Sequence, residues 1–162
     1  MNAAARLTPC LWYDGRAEEA ANLYVSIFPD SRIDEIVRSP SDNPSVSEGE
    51  VLLVRLSLFG QPFIALNGGP QFSFTEAISF QIDCADQEET DRYWEQLVVG
   101  GGRHDQCGWL KDRFGVSWQV IPREMHRYIG GPDPDGARRA MQAMLAMTKL
   151  DVAAMRAAYE QS

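Results

Sequence analysis

The sequence predicts an α+β protein built from two βαβββ modules followed by a helical tail. Three observations predict it. First, residues 59–66 (Phe-Gly-Gln-Pro-Phe-Ile-Ala-Leu) and 114–121 (Phe-Gly-Val-Ser-Trp-Gln-Val-Ile) share one pattern: Phe-Gly, two residues, an aromatic, one residue, a small apolar residue, then Leu or Ile. Second, the segments upstream repeat in step. Glu18 to Tyr24 spans six residues, as does Glu88 to Trp94, and Tyr24 to Ile27 spans three, as does Trp94 to Leu97. Third, the residues after the second copy change to a helical period with no further Phe-Gly.

Taken in order, the first module covers residues 5–67. Leu11-Trp12-Tyr13-Asp14 is a short apolar strand, and Asp14 is a candidate cap for the helix that follows. In that helix Ala20, Leu23, Tyr24 and Ile27 fall at i, i+3, i+4 and i+7, one apolar stripe. Early Glu18 and Glu19 suit the positive end of the helix dipole. Three strands follow, over 32–38, 51–58 and 61–66, and in the second of them Leu52, Val54, Leu56 and Leu58 alternate as in a half-buried strand. Phe59-Gly60-Gln61-Pro62 reads as the hairpin turn. The stretch Ser39-Pro40-Ser41-Asp42-Asn43-Pro44-Ser45 is polar with nothing to bury, and reads as a mobile loop serving as a spacer or a flap.

Residues 68–76 form a linker, and the second module covers 77–122. Phe80-Gln81-Ile82-Asp83 is its first strand, Asp86 caps a helix through Val98, and strands follow near Gly102-Arg103, over 108–113 and over 116–121. The segment from Glu to Phe-Gly is 41 residues in the first copy and 26 in the second, so the first carries fifteen more, the polar stretch included. The tail covers 123–162. Asp135 to Met147 reads as a helix with Met141, Met144 and Leu145 on one face, a face suited to its own domain or to a dimer contact. Asp151 caps a last helix through Tyr159.

The 162 residues suffice for a core without disulfides or metal. Three cysteines, Cys10, Cys84 and Cys107, lack CxxC spacing, which argues against a disulfide framework and for a reducing compartment. Met1 to Cys10 shows no apolar stretch of signal-sequence type, and no run approaches the ~20 apolar residues of a membrane span. A net charge of −8 excludes nucleic acid as the expected partner, since phosphate contacts need clustered Lys and Arg. These features together predict a cytoplasmic protein.

Several motifs carry a resemblance. Trp12-Tyr13-Asp14-Gly15 with Glu18-Glu19-Ala20, then Ala65-Leu66-Asn67-Gly68-Gly69, then Gln106 to Asp112 (Gln-Cys-Gly-Trp-Leu-Lys-Asp) with Phe114 to Gln119, resemble the PhnB-like family. That family is often labelled 3-demethylubiquinone-9 3-methyltransferase-like and lies within the vicinal oxygen chelate superfamily of glyoxalase, bleomycin-resistance and dihydroxybiphenyl dioxygenase folds. The resemblance runs from about Leu7 to Tyr159. It implies a bacterial, homodimeric protein in which each module forms one wall of a cup, with helices outside and ligand or metal inside.

Strand alternation then assigns the lining. Packing Phe80, Ile82, Trp118 and Val120 under the helix sends Ser79, Gln81, Asp83, Ser117 and Gln119 inward. Leu52, Val54 and Leu56 taking the core leave Arg55 and Ser57 on the other face, and the internal repeat matches Cys10 and Trp12 to Ser79 and Gln81, and Ile64 to Gln119. The expected ligand-binding set is Cys10, Trp12, Arg55, Ile64, Ser79, Gln81, Trp109 and Gln119, with Asn67 at the rim. Metal-using relatives place His and Glu at such positions; here none is His, Asp or Glu, and glutamine is a poor ligand for zinc or iron. His104 and His126 fall elsewhere. The expectation is no metal, no cofactor and an unidentified small organic ligand.

Rival readings are a metal-dependent lyase, isomerase or dioxygenase, and a drug-sequestering resistance protein. The methyltransferase label finds no motif support: Gly100-Gly101-Gly102 follows a helix and fits its C-terminal cap better than a cofactor turn after a strand. No acid–base pair of the usual kind stands out, which leaves catalysis open.

Overall fold

Strand β1 (Cys10–Tyr13) enters helix α1 (Ala17–Ile27), and strands β2 (Arg32–Arg38), β3 (Val51–Leu58) and β4 (Gln61–Asn67) complete the first module. The computed structural model describes residues 6–161. The chain divides into two units, the first ending at Phe74 and the second beginning at Thr75.

In the first unit the sheet order is β1-β4-β3-β2, with β1 and β4 parallel and the other pairs antiparallel. Helix α1 packs on β3, β4 and β2. Leu11, Tyr13, Val54, Leu56, Phe63 and Ala65 are buried, as strand alternation requires, and the buried stripe of the helix is Ala17, Ala20, Ala21 and Tyr24, with Leu23 and Ile27 of the expected stripe only half-buried. The first Phe-Gly is a two-residue hairpin loop in which Phe59 (φ 50°) and Gly60 (φ 74°) both adopt the left-handed conformation. That is the turn whose twist matches paired strands, and glycine takes half of its cost away.

Two readings of this unit are corrected. Asp14 does not cap α1. The N-cap residue is Arg16, without a side-chain cap bond, and the first helical N–H, that of Ala17, donates to Asn67 Oδ1 at 2.9 Å. A residue 50 positions away supplies the acceptor because β4 ends beside the helix start. The polar stretch also buries more than its composition suggests. Ser39 N–H donates to the Glu50 carbonyl, Gly49 N–H to the Ser39 carbonyl, and Asn43 Oδ1 accepts from the N–H of both Ser45 and Val46. Val46, just past the stretch, is 8% exposed. Backbone self-pairing, not apolar content, closes this loop.

In the second unit β5 (Ser79–Cys84), α2 (Gln87–Gln96), β6 (Arg103–His104), β7 (Trp109–Lys111) and β8 (Ser117–Pro122) repeat the pattern, with sheet order β5-β8-β7-β6. Here the expected cap holds: Asp86 Oδ1 accepts from Glu89 N–H, and Glu89 Oε2 accepts in return from Ala85 N–H. The second Phe-Gly loop is longer and is tied by Asp112. Its Oδ1 accepts from the N–H of Phe114 and Val116, and its Oδ2 from Trp118 Nε1 at 2.9 Å.

The tail forms α3 (Met125–Ile129), α4 (Pro134–Leu145) and α5 (Val152–Glu160). Asp133 and Asp151 cap α4 and α5. Ile121, Tyr128, Ala140, Leu150, Val152 and Met155 make its core, against which Met144 packs. Met141 and Leu145 stay exposed. The segment before α5 runs against Cys107 and Gly108, whose N–H groups donate to the carbonyls of Met147 and Thr148. Gly108 has φ 81°, and a Cβ there would sit 2.9 Å from the Val120 carbonyl and 3.0 Å from Leu150, so only glycine fits.

Candidate functional site

Each sheet has one face under its helix and one face free of it, and the register fixes what stands on the free face. In the first unit Cys10, Ile64, Arg55 and Glu35 form one row across β1, β4, β3 and β2. Trp12, Leu66, Leu53 and Val37 form the next. Arg55 Nε lies 3.1 Å from Glu35 Oε2, both side chains more than half exposed. Ser57 donates to Asp34 Oδ2 at 2.7 Å. Trp12 is clamped: its Nε1 donates to the Gly69 carbonyl at 2.8 Å, and its ring meets Phe72 edge-on at 5.0 Å. Gly68 lets it lie there, since a Cβ at 68 would come within 2.2 Å of the indole.

In the second unit Ser79, Ser117, Lys111 and Arg103 form a row across β5, β8, β7 and β6, and Gln81, Gln119 and Trp109 form the next. Gln119 Nε2 donates to Ser79 Oγ at 2.8 Å, and Gln81 Nε2 donates to Asp83 Oδ1 at 2.8 Å. These faces are amide, hydroxyl, aromatic and aliphatic, with Arg55, Lys111 and Arg103 as cations and Glu35 and Asp83 as carboxylates.

A family model described as 3-demethylubiquinone-9 3-methyltransferase matches residues 5–121. The chain belongs to that family. A protein from Bacillus cereus described as a PhnB protein and 3-demethylubiquinone-9 3-methyltransferase shares 33% identity, with a TM-score of 0.66 over 73% of this chain and 99% of its own. A protein from Pseudomonas aeruginosa shares the fold at 19% identity and TM-score 0.62, over 74% of this chain and 98% of its own. The fosfomycin resistance protein FosX from Listeria monocytogenes, solved with Mn(II) and sulfate, aligns at 16% identity and TM-score 0.49 over 79% of this chain and 97% of its own. No curated protein matches the chain. The chain shares its fold with the first two of these structures, and its two βαβββ modules and helical tail are as the sequence reading expected.

Among the described residues no group of three or more His, Cys, Asp or Glu is placed to hold a metal ion. His104 is already engaged: its Nε2 shares a hydrogen bond with the Trp94 carbonyl at 2.9 Å, and its ring stacks on Trp94 at 4.3 Å. His126 lies on α3 in the tail.

Cys10, Trp12, Arg55 and Ile64 stand on the free face of the first sheet; Ser79, Gln81, Trp109 and Gln119 stand on that of the second. Asn67 lies apart from these. It is on the helix side, 5% exposed, and both ends of its amide are used, by Ala17 N–H and by the Val51 carbonyl at 2.8 Å. Cys10 is exposed, yet partial burial pushes its thiol above the ordinary 9.0, so the neutral form dominates and the nucleophile is weak.

The sequence reading missed two cavities. One of about 360 Å³ lies in the first unit, walled by Asp14, Glu18, Arg38, Ser45, Glu50 and Asn67 among others. Of the polar stretch Ser45 alone lines it, with Val46 and Glu50 just beyond, and the fifteen extra residues of the first copy were the signal for it. The other, about 330 Å³, lies in the second unit at Ala85, Arg123, Glu124 and Arg127; no pattern in the sequence marked it.

Proposed function

We propose that the protein binds a small organic molecule through the helix-free faces of its sheets, without a catalytic metal. The observation that supports this most is the register. It gathers Trp12, Ile64 and Leu66 on one face, and Gln81, Gln119 and Trp109 on another. Apolar surface with a few placed polar groups is the usual make-up of a small-molecule site. The resemblance to metal-using relatives implies His and Glu on such faces; this chain carries Ser79, Gln81 and Gln119 on its own.

The methyltransferase name gains nothing from the glycines. Gly100 (φ 84°) and Gly101 (φ 124°) end the helical segment after α2, and a Cβ at Gly102 would lie 2.6 Å from the Val98 Cα and the Lys111 carbonyl. These glycines serve a helix exit and a close packing contact, not a phosphate or nucleoside.

A thermal-shift screen against metabolites, with and without divalent metals, tests the proposal. A binder at a hundredfold excess over Kd adds about 2.7 kcal/mol. The expected result is a hit whose shift needs no metal and falls in Trp12→Ala or in Gln81→Ala/Gln119→Ala. Stoichiometric zinc, iron or nickel in purified protein, or hits indifferent to all of these substitutions, would overturn it.

A further inference from the structure

The row Ser79–Ser117–Lys111–Arg103 presents only hydrogen-bond donors or groups able to donate, and it runs from solvent into the protein. Arg103 is 64% exposed, Lys111 18% and Ser117 1%. Ser117 Oγ is buried and has no hydrogen-bond partner among the described residues. A buried hydroxyl without a partner is costly, so its persistence points to an acceptor that binds from outside the chain. Ser79 Oγ accepts from Gln119, which leaves its own O–H to donate. One carboxylate already sits at the open end of the row. Glu76, from the segment before β5, places Oε1 2.5 Å from Lys111 Nζ and 3.5 Å from Arg103. Lys111 is the main cause that holds the Glu76 carboxyl below its ordinary value.

We propose that this row is an oxyanion site, taking the carboxylate, phosphate or phosphonate end of a small organic acid, and that Glu76 is a tethered occupant which the incoming anion displaces. The site rests on the small-molecule reading above and gives it a chemical class. Lys111 supplies the charge, Ser117 and Ser79 supply neutral donors deeper in the row, and Arg103 draws the anion in from solvent. Charge-assisted hydrogen bonds are the strong ones, and a ligand must outbid an intramolecular carboxylate of high effective concentration. The chain's own Glu76 therefore sets selectivity: weakly bound monoanions lose to it, and anions with more charge or more acceptor oxygens win.

Trp109 stands one row away on the same face and strand as Lys111, so its fluorescence reports on occupancy. The experiment titrates inorganic phosphate, methylphosphonate and acetate into the full chain at fixed ionic strength, comparing wild type with Glu76→Gln, Lys111→Met and Ser117→Ala. Removing the competing charge in Glu76→Gln is expected to tighten phosphate binding about tenfold, and Lys111→Met to weaken it at least as much, since one charged contact is worth about that factor. Ser117→Ala keeps the fold and weakens phosphate about threefold or more, the scale of one neutral hydrogen bond. Acetate is expected to bind only when Glu76 is replaced. Phosphate affinity unchanged or weakened in Glu76→Gln, or unchanged in Lys111→Met, would overturn the assignment; an adventitious ion at Arg103 alone would show as that second result. A metabolite screen that finds only neutral or cationic binders would sink this inference while leaving small-molecule binding standing, and a screen indifferent to the face substitutions would do the reverse.

Discussion

Replacing Asp112 is expected to cost more stability than any other single side chain of the second unit's loops. Asp112 is 3% exposed, and its carboxylate accepts from three donors: Phe114 N–H at 2.9 Å, Val116 N–H at 3.0 Å and Trp118 Nε1 at 2.9 Å. Asp112→Ala orphans all three, and the bonds to Val116 and Trp118 are buried. Each buried donor left without a partner costs about 1–3 kcal/mol, and neighbours in one network do not add fully, so about 3–5 kcal/mol is expected. Against a typical total of 5–15 kcal/mol this is a large share. Asp112→Asn separates the bonds. Its oxygen still serves the two loop N–H groups, while its amide nitrogen meets the Trp118 N–H donor to donor, so about 1–3 kcal/mol is expected. Urea unfolding followed by tryptophan fluorescence is the assay, with a midpoint shift for alanine of roughly 1–2 M at a slope of about 2–3 kcal/mol/M. The second unit holds Trp94, Trp109 and Trp118 and dominates the signal. An alanine variant within about 1 kcal/mol of wild type, or an asparagine variant worse than alanine, would refute the reasoning. The loop also sets where Lys111 and Ser117 stand, so the same variants should weaken phosphate binding.

Two further outcomes are expected. Gly68→Ala puts a methyl within 2.2 Å of the Trp12 indole, so overpacking of about 1–3 kcal/mol and an altered Trp12 emission should follow; an unchanged melting curve and spectrum would mean the ring yields freely. Burial pushes the Cys84 thiol from its ordinary 9.0 up to about 11. A raised acid pKa means the fold holds the neutral thiol, so its contribution is whole below pH 9 and drains between 9 and about 11. Iodoacetamide at pH 8, read by mass spectrometry, should spare Cys84 in the folded protein, and labelling as fast as in urea would contradict this.

Much of the fold was legible because it is written in local periods. The repeat of Phe-Gly and of the Glu-to-aromatic spacing marked two modules, and alternation in 51–58 and 80–83 separated the helix face from the free face. Arg55, Gln81 and Gln119 could be named for that reason. The sequence puts Asn67 at a rim without naming its partners; its amide engages the Ala17 N–H and the Val51 carbonyl, and only the meeting of β4 with the start of α1 reveals them.

The sequence by itself determined the element order of the two modules, the duplication, two of the three helix caps it named and the alternation of faces along β3, β5 and β8, because these follow from side-chain periodicity and from caps a few residues apart. Tertiary structure alone decided that Asn67 replaces Asp14 at α1, that Asp112 ties a loop to Trp118, and that Glu76 sits on Lys111, the cross-strand neighbour of Ser117, whose hydroxyl has no partner among the described residues. Those pairings join residues whose separation along the chain carries no pattern, and only the folded unit brings their donors and acceptors within hydrogen-bond reach.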